Sequence, residues 1–213
     1  PLRLVGSEMC IRDRTYVTSS AGNHGLSVAA GAKAFGANSV VYISNTVPEA
    51  FVIRLMAEGA KVVRAGQVYE ESMEAAKQAA EDNGWVLLSD TSWPEYYKTS
   101  YRLMEGYTAL MDEASAQIST PTHIFLQAGV GGLAGATAAM VRKIWGQDVI
   151  IIVVEPSNAP ALHSCIQAGD FVFAKGSGSS MGRLDCQEAS LIALKGLARA
   201  VSYTHLTLPT KRI

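Results

Sequence analysis

From Thr15 onward, short β-branched runs alternate with longer stretches in which apolar residues recur every three or four positions. Such a change of period from two to 3.6 marks strands alternating with amphipathic helices. Tyr16-Val17 precedes a polar loop and an Ala-rich helical run from Val28 to Phe35. Val40 to Ile43 reads as a buried strand, and Pro48 opens a helix that ends at Glu58 before Gly59. The unit then repeats. Lys61 to Arg64 is a strand, Tyr69 to Asn83 is a helix with Met73, Ala76 and Ala80 on one face, and Gly84 stops it. Trp85 to Leu88 makes the next strand, a loop Asp90-Thr91-Ser92-Trp93-Pro94 follows, and a long helix spans about Tyr97 to Ile118. His123 to Gln127 is a strand, and Ala128 to Gly132 is a glycine-rich turn into a helix ending near Gly146. Val149 to Val154 is the most apolar strand, with Glu155-Pro156 and a helix from about Pro160 to Ala168 behind it. Met104, Tyr107, Leu110 and Met111 fall at helical spacing and are expected in the core.

This alternation predicts an α/β chain with parallel sheets joined by right-handed crossovers. Ligands of such folds sit beyond the C-terminal ends of strands. Three polar loops occupy that end, after Val17, Leu88 and Gln127. Beyond Asp170 the pattern weakens. Lys175 to Ser180 has the composition of a connector, Met181 to Cys186 with Arg183 and Asp185 reads as a surface loop or a wall of the site, and Glu188 to Arg199 is again helical.

Composition narrows the partners. The chain has 213 residues, 48% of them hydrophobic, and a formal net charge of -1, enough for a core and without a basic run to attract nucleic acid. No apolar run approaches the length of a membrane span, so a small-molecule partner and a cytoplasmic setting are the expectation. Cys165 and Cys186 lack metal-ligand or redox spacing and are expected as reduced thiols. His123 and His163 are expected to be packing or surface histidines.

Two loops carry candidate chemistry. In Ser20-Ala21-Gly22-Asn23-His24-Gly25, small residues precede a helix whose first amides lack intrahelical partners, an arrangement suited to a carboxylate or phosphate. The same loop could be a plain strand-to-helix turn capped by Ser20 or Asn23. Gly129-Val130-Gly131-Gly132-Leu133-Ala134 also joins strand to helix, and glycines there let amides approach a phosphate. It satisfies G-x-G-x-x-A, with Glu155 at the next strand end where a ribose-binding acid would stand. A nicotinamide-dependent oxidoreductase is therefore one reading, and tight helix packing another. The dinucleotide reading leaves the first loop without a role.

Together, Ser20 to Gly25 and the glycine turn resemble the fold type II pyridoxal-phosphate enzymes, the tryptophan-synthase-β-like family that includes threonine dehydratases and cysteine synthases. Asp90-Thr91-Ser92-Trp93, Met104-Glu105-Gly106-Tyr107, Pro121-Thr122-His123 and Gln127-Ala128-Gly129-Val130-Gly131 narrow the resemblance to the diaminopropionate ammonia-lyases. It covers nearly all of Thr15 to Ala200. The resemblance implies two parallel-sheet lobes, pyridoxal 5'-phosphate as cofactor, a homodimer, and α,β-elimination of 2,3-diaminopropionate to pyruvate and ammonia. Serine or threonine dehydration is the neighbouring alternative, and a binding module without catalysis a third. Carried over, Ser20, Ala21, Gly22, Asn23 and His24 would hold the substrate carboxylate, and Asn23 would also meet the cofactor. Gly129, Val130, Gly131 and Gly132 would hold its phosphate. Asp90 matches an acid beside the substrate, and it could equally cap its loop. Glu155 would line or support the site, or serve as a hydrogen-bonded structural carboxylate.

Two departures qualify the resemblance. Lyases acting on the D-isomer carry Asp where this chain has Ala21, whose methyl group moves no proton. The family's cofactor-bearing lysine lies upstream of the first loop, and residues 1–14 contain none. Leu4 to Arg14 and Val201 to Thr210 can each be written in codons that resemble the two arms of a transposase sequencing adapter, in opposite orientation. The expected division is thus a foreign tail at 1–14, a smaller lobe at 15–94, part of a larger lobe at 95–200, and a second foreign tail at 201–213. Cys10 and His205 then carry no function, and the 213-residue fragment is expected to be inactive.

Overall fold

The computed structural model describes residues 11–176, 179, 181, 182, 184–200 and, as backbone only, 203–208. Cys10, Arg183 and the outer parts of both expected tails lie outside the described residues. The chain divides into two compact units at Ser89/Asp90.

The first unit contains β1 (Thr15–Ser19), α1 (Asn23–Ala34), β2 (Asn38–Ile43), α2 (Glu49–Ala57), β3 (Lys61–Arg64), α3 (Tyr69–Asn83) and β4 (Val86–Leu87). Its sheet runs in the order β3-β2-β1-β4, with every neighbouring pair parallel. Crossover helices cover both faces, which is why the strands read as nearly continuous apolar runs. One cluster joins Ala29, Val41, Ile43, Val52 and Leu55, and the other joins Val17 and Val40 to Ala76 and Ala80 of α3. Leu55 is fully buried, which contributes about 1.5–3 kcal/mol. Gly84 ends α3 in the left-handed region at φ 64°, as its place after a helical run requires.

The second unit contains α4 (Lys98–Gln117), β5 (His123–Gln127), α5 (Gly132–Trp145), β6 (Ile150–Pro156), α6 (Ala161–Ala168), α7 (Leu191–Ala200) and β7 (Tyr203–Leu208). Its parallel sheet has the order β5-β6-β7. Leu126, Ile151 and Val153 form its core with Val141, Leu162 and Leu197. Met111 is buried as expected, but Leu110 is 51% exposed, because adjacent positions on a helix stand about 100° apart and α4 turns only one of them inward.

Two features depart from the sequence expectation. The loop after β4, grouped by its position with the smaller lobe, is fastened into the second unit: Leu191 N donates to Ser92 O at 3.0 Å. Tyr203–Leu208, set outside the fold by its codons, pairs in parallel with β6. A strand edge is closed by main-chain hydrogen bonds, and a short run rich in Thr, Leu and Tyr can supply them whatever its origin.

Candidate functional site

In the first unit, Ser19 ends β1 with its hydroxyl 2.9 Å from that of Ser72 on α3. The chain turns at Ser20, whose Oγ accepts the Gly22 N–H at 3.2 Å, and α1 begins at Asn23. The turn is tight enough that a Cβ on Gly25 would lie 1.9 Å from the Ser20 carbonyl oxygen. Gly22, at the N-cap, has no side chain to bond, and the described residues offer no acceptor to the amides of Asn23, His24 and Gly25. These donors and the positive end of α1 make an anion seat. Asn23 is exposed and Ser20 half-buried, whereas the Ala21 methyl turns into the apolar cluster around Leu55.

His24 is buried, and its Nε2 lies 2.9 Å from the Leu88 carbonyl. A carbonyl only accepts, so Nε2 donates and Nδ1 of a neutral ring is left as the acceptor. The ring thereby ties the start of α1 to the end of β4. Just ahead of the loop, the buried Thr18 hydroxyl finds no partner among the described residues.

In the second unit, Ala128 N donates to Val154 O at 2.9 Å and holds the glycine turn to β6. Gly131 has φ 98°, and a Cβ there would stand 3.0 Å from both Leu162 methyl carbons, so conformation and space both require glycine. The described residues give the amides of Gly129, Gly131 and Gly132 no acceptor, and α5 adds its positive end. Gly132 faces the Asp90 carbonyl, whose oxygen lies 3.7 Å from its ideal Cβ, with Met104 and Tyr107 at 3.8 Å. Asp90, Gly132 and Tyr107 are thus brought together.

Tyr107 is half-buried, and burial, followed by the charge of Asp90, pushes its phenol above the ordinary tyrosine value. The folded protein holds this proton more tightly than the unfolded chain. The resulting stability is intact below the unfolded value, near 10, and is lost as pH rises through the folded value. Tyr107→Phe should flatten that alkaline loss in urea midpoints measured between about pH 9 and pH 11. A parallel loss in both proteins would refute the assignment.

Glu155 is fully buried at the end of β6, its carboxylate accepting from Leu162 N at 2.8 Å and His163 N at 3.0 Å. Both oxygens serve the first turn of α6, which answers the choice left open by the sequence in favour of the structural carboxylate and leaves the ribose-binding reading without its acid. Asp185 accepts from Ser179 N at 2.7 Å, within its own loop. His123 is exposed beside Thr122, and His163 is half-buried. Among the described residues neither Cys165 nor Cys186 is joined in a disulfide, and the Cys165 Sγ donates to the Val172 carbonyl at 3.3 Å. Among the described residues no helix is long and apolar enough to cross a membrane.

Sequence reasoning missed Ser92 and Ser190, whose buried hydroxyls lie 2.8 Å apart. Ser190 gives one local signal, a serine just before a helical run. Its partner is 98 residues away and gives none.

The chain matches the family model described as pyridoxal-phosphate dependent enzyme over residues 7–207. It is 33% identical over 180 residues to the diaminopropionate ammonia-lyase of Escherichia coli K12, covering 82% of this chain and 45% of that protein. It is 34% identical to the L-serine dehydratase/L-threonine deaminase of Mus musculus, covering 75% of this chain and 47% of that protein. A crystal structure of the E. coli lyase with an aminoacrylate-PLP azomethine reaction intermediate superposes with a TM-score of 0.84 at 30% identity, covering 90% of this chain and 50% of that one. The chain spans about half the length of the curated relatives it matches.

Proposed function

The chain belongs to the pyridoxal-phosphate-dependent enzymes, and on that premise we propose that its parent is an ammonia-lyase that converts 2,3-diaminopropionate and water to pyruvate and two molecules of ammonia. The observation that carries this reading is the pair of strand-to-helix turns with open amides, one for a carboxylate and one for a phosphate. The glycine turn fits the cofactor: among the described residues the amides of Gly129, Gly131 and Gly132 have no acceptor, and the turn that presents them requires glycine at position 131, where φ is 98° and Leu162 and Ala193 leave no room for a side chain.

In this reading Gly129 to Gly132 hold the phosphate with main-chain N–H groups. Pyridoxal phosphate, when bound, supplies an electron-accepting ring that stabilises negative charge at the substrate Cα. The amides of Asn23 to Gly25, with Ser20, fix the substrate carboxylate and so set the direction of the Cα–H bond. Asn23, exposed at the start of α1, is the residue of this loop that the family resemblance assigns to the cofactor. His24 holds the loop in register through Leu88. Asp90, whose main-chain carbonyl faces Gly132, is the candidate acid beside the substrate.

Ala21 is the residue that favours the L-isomer, since a buried methyl group cannot take the proton from the opposite face. The same residue favours the second reading, a serine or threonine dehydratase. The complete protein, supplied with pyridoxal phosphate, is expected to release two ammonia per pyruvate from L-2,3-diaminopropionate and to turn over the D-isomer at least about 100-fold more slowly, the scale of a lost general base. Faster turnover of serine or threonine would replace this reading with the dehydratase. A polypeptide of these 213 residues, whose first lysine is Lys33, is expected to show no turnover.

A further inference from the structure

Building on the assignment of Gly129 to Gly132 to a phosphate, we propose that Ser190, through its partner Ser92, is a positioning residue that aims the Gly131 amide at that phosphate. Both serines are fully buried. Ser190 N donates to the Val130 carbonyl at 2.8 Å. In a planar trans peptide the carbonyl and the following N–H point in opposite directions. Drawing the Val130 oxygen toward Ser190 therefore turns the Gly131 N–H to the other side of the turn, away from α7.

Ser190 is itself held in place. Its Oγ accepts from Ser92 N at 3.2 Å and lies 2.8 Å from Ser92 Oγ. Ser92 in turn engages the first turn of α7, accepting from Leu191 N at its carbonyl and from Ile192 N at its hydroxyl, each at 3.0 Å. Leu194 N returns to Ser190 O at 2.9 Å, so Ser190 is the residue from which α7 starts. α7 seats closely: a Cβ on Gly131 would lie 3.3 Å from Ala193 Cβ, and one on Gly135 would lie 3.4 Å from Ala193 Cα. The glycine turn, the Asp90 loop and α7 therefore share one buried hydroxyl pair, and a shift of that pair rotates the peptide that presents Gly131.

The test is a titration of the 15N-labelled chain with inorganic phosphate, followed at the Gly131 and Gly132 amides. The wild-type chain should show saturable shifts. Ser190→Ala and Ser92→Ala should each weaken phosphate about tenfold, the scale of one lost buried hydrogen bond, and the double variant little more than either. Ser190→Thr, which keeps the hydroxyl, should restore affinity to within about twofold of wild type. A role confined to stability would lower Tm and leave the affinity of the folded protein unchanged, and that result overturns the proposal. Should Ser190→Ala not fold, Ser92→Ala makes the same comparison. Absence of any saturable shift in the wild-type chain overturns the phosphate assignment and this inference with it.

Discussion

Gly25→Ala is expected to destroy the shape of the first loop. A Cβ at this position would stand 1.9 Å from the Ser20 carbonyl oxygen, 3.0 Å from its carbon and 3.3 Å from Leu55 Cδ2. Two of these neighbours are backbone, so relief requires the turn between β1 and α1 to move by about 1 Å or more, enough to cost about 100-fold in a rate that depends on orientation. Stability should fall by about 1–3 kcal/mol, the range for overpacking. The control lies in the same helix. Gly31 has open space where its Cβ would go, and Gly31→Ala should stabilise by about 0.5–1 kcal/mol through helix propensity alone. Urea midpoints of the two variants decide the matter, and a similar shift for both would show that the approach of Gly25 to Ser20 does not hold the loop.

Removing the Glu155 carboxylate should have the largest effect on stability. Glu155→Ala leaves the Leu162 and His163 amides without the acceptors they have at 2.8 and 3.0 Å, the first of them buried where solvent does not replace the partner. The expected cost is about 3–5 kcal/mol, the range for breaking a buried charged network by deleting one member. Glu155→Gln keeps one carbonyl acceptor and should cost roughly half as much. Leu162 also packs against Gly131, so Glu155→Ala should weaken phosphate binding in the fraction that folds. The dinucleotide reading expects the opposite division, with NAD affinity lost and stability retained. Equilibrium unfolding together with an NAD titration separates the two.

Much of the architecture was legible because it is local. The bounds of β3, α3 and β5 follow from where the hydrophobic period changes and where Gly84 and Pro121 interrupt it. The glycine turn was legible as a turn for the same reason, while its use stayed open between a phosphate site and tight helix packing. Leu110 was misplaced because periodicity gives the spacing of an apolar stripe and not the angle at which the helix is seated. The boundary expected after Pro94 falls instead at Ser89/Asp90, because Ser92 is claimed by Ser190 and α7, far along the chain.

The sequence by itself determined an alternating α/β chain, its two glycine-bearing strand-to-helix turns and, through the residues of those turns, its family. Each of these rests on contacts among near neighbours or on motif residues whose order is itself the signal. Tertiary structure alone decided what the polar residues do. Glu155 at a strand end has the same local sequence whether it binds a ribose or caps a helix, and only the return of Leu162 and His163 to its oxygens made it a cap. His24 became a strut when Leu88 arrived within 2.9 Å, and Ser190 gained its grip on Val130 when α7 packed on the glycine turn. A hydrogen bond belongs to two partners, and where those partners are 64 or 98 residues apart neither one's neighbourhood in the chain encodes the other.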